Sequence, residues 1–103
     1  MLKFCIMYPK TPDGRFDIDY YRNKHLPMVK DKLGSICIGT SADDCIEGLA
    51  PGSAPQFSAI GYVYLGLDNP EDFRRLYAPH AEEIRNDIPN FTNIRPTAMF
   101  VKP

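Results

Sequence analysis

The stretch FSAIGYVYLG (57–66) decides the fold. It is rich in β-branched and aromatic residues, which favour strands, and it is apolar at alternate positions on both sides. Read as a strand, it gives the sheet it joins an apolar surface on each face. An antiparallel sheet with one wet face alternates polar with apolar residues instead. A sheet built on this strand therefore needs a cover on both sides.

Upstream, GLAPGSAP (48–55) holds two prolines and two glycines in eight residues and reads as an exposed loop between strands. Before it, SICIGTSADDCIE (35–47) has a β-like core at Ile36, Cys37 and Ile38, and Asp43 and Asp44 mark an edge or a bulge. Further back lies FDIDYYRNKHLPMVKDKLG (16–34), which predicts a helix capped by Asp17. At helical spacing Ile18, Tyr21, His25, Val29 and Leu33 fall within a stripe of about 120°. Pro27 removes a backbone donor and crowds the carbonyl of Asn23, which predicts a kink close to His25. Gly34 ends the helix. At the start of the chain LKFCIMY (2–8) is a second two-faced strand, with Leu2, Phe4, Ile6 and Tyr8 on one side and Lys3, Cys5 and Met7 on the other. The turn residues of PKTPDG (9–14) close it.

Downstream of the central strand, Asn69 caps a second helix with Pro70 at its first position and Glu71 and Asp72 in its first turn. Phe73, Leu76 and Tyr77 are its expected buried side. Pro79 breaks it, and Ala81, Ile84 and Ile88 continue as a short second helical face. IRPTAMFV (94–101) is the last strand, placed at an edge or started by Pro96. The order β-α-β-β-α-β is the ferredoxin-like arrangement of the α+β class, a four-stranded antiparallel sheet with helices on one face. One domain over residues 1–103 is expected. The helices cover one face of the two-faced strands. A second copy packed sheet against sheet, forming a dimeric α/β barrel, is the simplest cover for the other, and the alternative is a few exposed aromatics of no consequence.

Charge excludes more than it suggests. The 12 Lys and Arg against 13 Asp and Glu give a net charge of -1, without the basic stripe of a nucleic-acid binder. No apolar run approaches the ~20 residues that span a bilayer, and no targeting segment is evident, so a cytoplasmic protein without membrane contact is expected. Cys5, Cys37 and Cys45 are odd in number and lack CxxC spacing, which suggests neither a disulfide framework nor a zinc site. No phosphate-cradling loop, HExxH or dinucleotide fingerprint is present, and no metal or organic cofactor is expected.

His25 is the first candidate for chemistry. A histidine at the centre of an apolar stripe is held neutral by desolvation, which suits a general base or acid acting on a small enolisable or phenolic substrate. The plain alternative is a core histidine bonded to a backbone carbonyl. Tyr8, Tyr21 and Tyr62, with Tyr64, offer ring faces and hydroxyls to line a pocket for a small hydrophobic ligand, although tyrosines at such positions also serve as packing. His80 reads as a helix-start residue. Asp87, Asn90 and Asn93 read as turn and cap chemistry, with Phe91 as a hydrophobic plug.

Two motifs go beyond a fold. FDIDYYRNKHLPMV (16–29), with Tyr20 and Tyr21 ahead of His25, Pro27 and Met28, and APHAEEIRNDIPNFTNIRP (78–96) together resemble the EthD-like family. The resemblance runs over essentially the whole chain, including the loop at 48–55 and the AIGYVYL strand. It implies membership of the dimeric α/β-barrel superfamily, and hence a homodimer through the open sheet face. The family's namesake is encoded with an ether-degrading monooxygenase system. Related small barrels include lactone isomerases, polyketide cyclases or dehydratases and cofactor-free monooxygenases. In these a helix-1 histidine is a recurrent catalytic candidate, and the matching position is His25. The combined expectation is a small cofactor-free enzyme moving a proton on a hydrophobic or aromatic carbonyl compound, or else a non-catalytic accessory or ligand-binding protein of a degradative oxygenase system.

Overall fold

The computed structural model describes residues Met1–Pro103. Four strands, β1 (Leu2–Pro9), β2 (Cys37–Asp44), β3 (Phe57–Leu65) and β4 (Thr97–Val101), form one antiparallel sheet in the order β2-β3-β1-β4. The chain is α+β with the ferredoxin-like order of elements that the sequence predicts. Its two apolar strands are central, and the weaker ones form the edges. Pro96 stands one residue before β4, where its missing N–H leaves no gap in the ladder.

Register places Leu2, Phe4, Ile6 and Tyr8 opposite Leu65, Val63, Gly61 and Ala59 on the face under the helices. The other face carries Cys5, Met7, Ile60, Tyr62, Tyr64 and Met99. Tyr62 and Tyr64 stack at 6.5 Å, and the Lys3 ammonium lies 5.0 Å above the Tyr62 ring. Met99 is half exposed.

The first helix is built in three parts. Asp17 caps α1 (Ile18–Tyr20) by accepting from the Tyr20 amide at 3.1 Å. A π-helical turn (Tyr21–His25) follows, in which the Leu26 amide reaches back to the Tyr21 carbonyl, and α2 (Leu26–Leu33) completes the helix. The expected disturbance at Pro27 thus takes the form of one extra residue in the preceding turn. The widened turn shifts the buried stripe, so Leu26 joins Tyr21, His25, Val29 and Leu33 on the inside. Gly34 ends α2 with φ 66°, a value that favours glycine.

The second helical layer comprises α3 (Pro70–Tyr77), a 3-10 turn at Ala78–His80, α4 (Ala81–Asp87) and a further 3-10 turn at Ile88–Asn90. Asn69 caps α3 by accepting from the Asp72 amide at 3.0 Å. The expected buried side needs one correction, since Phe73 is buried but Leu76 is exposed.

The core has two centres. Leu2, Val29, Leu33, Val63, Leu65, Phe73 and Ile84 form a largely aliphatic one. Tyr8, Tyr21, Leu26, Phe91 and Ile94 form an aromatic one at the other end of the sheet.

Candidate functional site

The aromatic centre is closed by two segments that zip together. The Asp17 amide donates to the Phe91 carbonyl at 2.8 Å, and Thr92 Oγ1 donates to the Arg15 carbonyl at 2.7 Å while accepting from the Ile94 amide at 3.0 Å. Asn93 Oδ1 accepts from the Arg15 amide at 2.9 Å, and its Nδ2 donates to the Asp13 carbonyl at 3.0 Å. Asn93 is therefore a cross-link rather than a simple cap. These bonds pin Phe91, with no exposed surface, against His25 at a ring separation of 4.5 Å.

His25 is 4% exposed. Its ring lies nearly parallel to that of Tyr21, at 5.6 Å and 13°. Nδ1 stands 2.9 Å from Asp87 Oδ2. Asp87 Oδ1 accepts from the Tyr20 hydroxyl at 2.7 Å and from Asn90 Nδ2 at 3.0 Å. The partner of the histidine is thus a carboxylate with both oxygens engaged, not the backbone carbonyl of the plain reading.

Electrostatics fixes the protonation of this dyad. Burial pushes the His25 pKa below its ordinary value, and the hydrogen bond and negative charge of Asp87 only partly oppose it. Burial alone would raise the Asp87 carboxyl, but hydrogen bonds from Asn90, Tyr20 and His25 outweigh it and hold the group below its ordinary value. At neutral pH an ionised carboxylate can only accept, so Nδ1 carries the proton and Nε2 has the lone pair. Nε2 has no hydrogen-bond partner in the chain, yet it is not sealed, because the one fully enclosed and unpartnered polar side-chain atom is Tyr21 Oη.

The structure brings Tyr8, Tyr21 and His25 together and separates Tyr62 from them. Tyr8 and Tyr21 meet edge to face at 5.6 Å. Burial raises the Tyr8 phenol to about 12 and pushes that of Tyr21 far up as well. The two phenols influence each other's ionisation, but Tyr21 Oη has no partner in hydrogen-bond geometry. Tyr62 and Tyr64 project from the open face, because Gly61, Val63 and Leu65 take the helix side of β3. Gly61 has a specific role there. A Cβ at this position would overlap the Tyr21 hydroxyl and lie 2.8 Å from its Cζ, so the phenol packs against the strand only because residue 61 lacks a side chain.

The residue that sequence reasoning missed is Asp87. One signal was present: it is an acid in the last turn of a helix, where the dipole disfavours negative charge. An acid kept there needs a compensating donor, and His25, Tyr20 and Asn90 supply three. A groove of about 350 Å³ lies between α2 and α4, lined by Tyr20, Lys24, Met28, Lys32, Glu83 and Asp87 and bridged by the Lys32–Glu83 ion pair. It reaches the dyad through Asp87, and the His25 ring does not line it. No three His, Cys, Asp or Glu side chains converge as metal ligands would. All three cysteines are free. Cys5 and Cys37 are buried, and burial raises their thiol pKa values.

No protein-family model matches the chain, and no curated protein does. Solved structures do. An EthD-like protein from Ralstonia eutropha JMP134 is 37% identical, with a TM-score of 0.89 over 98% of this chain and 89% of that one. An ethyl tert-butyl ether D (EthD) family protein from Bacillus halodurans C-125 shares 13% identity and a TM-score of 0.62 over 100% of this chain and 98% of that one, a likeness of fold alone. The chain carries the motifs around His25 and Asp87 on this fold and is similar in sequence over nearly its full length to the first of these proteins, and it belongs to the EthD-like family.

Proposed function

We propose that this EthD-like protein is a proton-transfer enzyme, with His25 as a general base acting on a small hydrophobic or aromatic carbonyl compound in a degradative pathway. The observation that carries this reading is the His25–Asp87 contact of 2.9 Å with Nε2 left without a partner. Asp87 fixes the tautomer and stabilises the imidazolium that forms when Nε2 takes a proton from carbon next to the carbonyl. The step needs no group beyond these side chains.

The test is deuterium exchange into 2-tetralone, a small enolisable aromatic ketone, combined with an NMR titration of His25. Exchange above the buffer rate is expected, rising with pH as His25 loses its proton, with His25→Gln at the buffer rate. Asp87→Asn removes the interactions that support the charged ring, so the His25 pKa should fall further. Full exchange by His25→Gln, or a His25 titration unmoved in Asp87→Asn, sinks the proposal.

A second reading rests on a specific observation, namely that the Tyr21 and Phe91 rings pack against His25 and that it lines no cavity. In that reading the dyad pins α4 to the first helix, and the protein is a non-catalytic ligand-binding accessory. Tight binding of a ketone with no exchange over hours selects it.

The working unit we propose is a homodimer whose copies cover each other's open faces, which carry Tyr62, Tyr64, Met99 and Ile60. The support is the apolar character of that face, which a solvated sheet does not need. Light scattering should give twice 11.7 kDa, and a monomer at micromolar concentration refutes it.

A further inference from the structure

The largest cavity in the molecule is separate from the dyad. It has a volume of about 620 Å³ and lies along the segment that leads from α4 into β4. Three arginines, Arg15, Arg85 and Arg95, stand around it, and Ile88, Pro89 and Ile94 contribute an apolar floor. Neither His25 nor Asp87 lines it.

What singles out this groove is the balance of charge. The chain has six arginines. Arg74 and Arg75 pair with Glu71 and Asp72 along α3, and Arg22 is spent on the Ala42 carbonyl. The remaining three all face this one cavity, and no carboxylate lines it. Asp87, close in sequence to Arg85, is engaged by His25, Tyr20 and Asn90. Arg15 is held in place, since its Nη2 donates to the Pro89 carbonyl at 2.9 Å and its backbone is tied to Thr92 and Asn93. Arg85 and Arg95 make no ion pair and no hydrogen bond through their side chains.

Three cationic side chains line one concave surface without a carboxylate among them, which favours an anion there, and guanidinium groups match a carboxylate in geometry and charge. The floor adds a second requirement. Ile88 belongs to the packing around the aromatic centre and Ile94 is part of that centre, so the surface offered below the arginines is apolar and fixed. A bare inorganic anion gains nothing from such a floor, whereas a ring or short aliphatic body does.

We propose that the groove between Arg15, Arg85 and Arg95 binds an organic carboxylate with a small apolar body, such as an aromatic acid. This site stands apart from the dyad, and the proposal holds whether or not His25 transfers protons. The carboxylate is taken by Arg85 and Arg95, and the body lies on Ile88, Pro89 and Ile94. Because the guanidinium groups are exposed, binding weakens as salt screens them.

The experiment uses the intact protein with benzoate as probe, followed by backbone amide NMR shifts. Saturable shifts are expected in residues 88–96 and at Arg15, absent with benzamide, which has the same ring without the charge. The double variant R85Q/R95Q should weaken benzoate about tenfold or more, the effect of losing two exposed charge-assisted contacts. Both side chains are exposed and free of protein partners, so the variant should fold, and unchanged shifts away from residues 85–95 verify it. Unchanged affinity in R85Q/R95Q, equal binding of benzamide, or absence of saturable benzoate shifts overturns the proposal. Inorganic phosphate binding as tightly as benzoate also overturns it, because the apolar floor would then play no part.

Discussion

The two ends of the core are built on different terms. Around Val63, Leu65 and Phe73 the helices and sheet meet through aliphatic side chains and a cluster of Phe4, Phe73 and Phe100 with centroids 4.9 to 5.5 Å apart. No buried polar side chain interrupts that end. Around Tyr8, Tyr21 and Phe91 the same sheet and the same helix enclose a histidine, a phenol without a partner and a π-helical turn. One end gains stability from burial alone. The other accepts buried polar groups and a disturbed helix in return for a fixed imidazole. Chemistry in a small domain is to be sought where packing departs from the simplest solution.

The largest effect should come from the aliphatic end. Leu65 is fully buried, so Leu65→Ala is expected to destabilise the fold by about 2 to 5 kcal/mol, from lost burial and the cavity left behind. Urea denaturation checks this, and the His25 titration should stay in place. A His25 titration that moves with Leu65→Ala breaks the comparison, because the ends would then be one coupled unit.

Gly61→Ala should act on the aromatic end. The new methyl group meets the Tyr21 ring, which has no exposed surface to retreat into. The expected cost of such overpacking is about 1 to 3 kcal/mol. Because Tyr21 stacks on His25, the imidazole resonances should shift as well. A variant that keeps its stability and leaves those resonances unmoved indicates a loosely packed end.

These contrasts were only partly legible in the sequence. The ferredoxin-like sheet could be read because the order of strands and helices is marked by turn and cap residues, and the first and third strands carry apolar residues on both faces. The inward placement of Tyr21 and His25 followed from helical spacing. Leu26 escaped that reading, since a single extra residue in one turn rotates the face and leaves no mark in composition. Aromatic type groups Tyr62 with the histidine, but parity relative to Gly61 puts it on the opposite face of β3. Asp87 lies 62 residues from His25, and no local pattern reports a contact over that distance. Its place at a helix C-terminus, where a carboxylate is disfavoured, was the one hint.

Tyr21→Phe carries the smallest expected effect and the sharpest test. Its hydroxyl is enclosed without a partner, and a buried unsatisfied hydroxyl costs about 1 to 3 kcal/mol in desolvation. Removing it relieves that cost, while the gap left beside Gly61 forfeits some contacts. The net change in stability should lie between zero and about 1 kcal/mol in favour of the variant. The aliphatic end offers no such opportunity, because every truncation there removes only favourable contacts. A stabilised Tyr21→Phe with slower exchange would mean that the hydroxyl is kept for a substrate oxygen at the expense of the fold. A stabilised variant with unchanged exchange leaves the phenol as packing beside the dyad. If Tyr21→Phe instead loses more than about 1 kcal/mol, the hydroxyl is satisfied in solution, and the aromatic end carries no more polar frustration than its aliphatic counterpart.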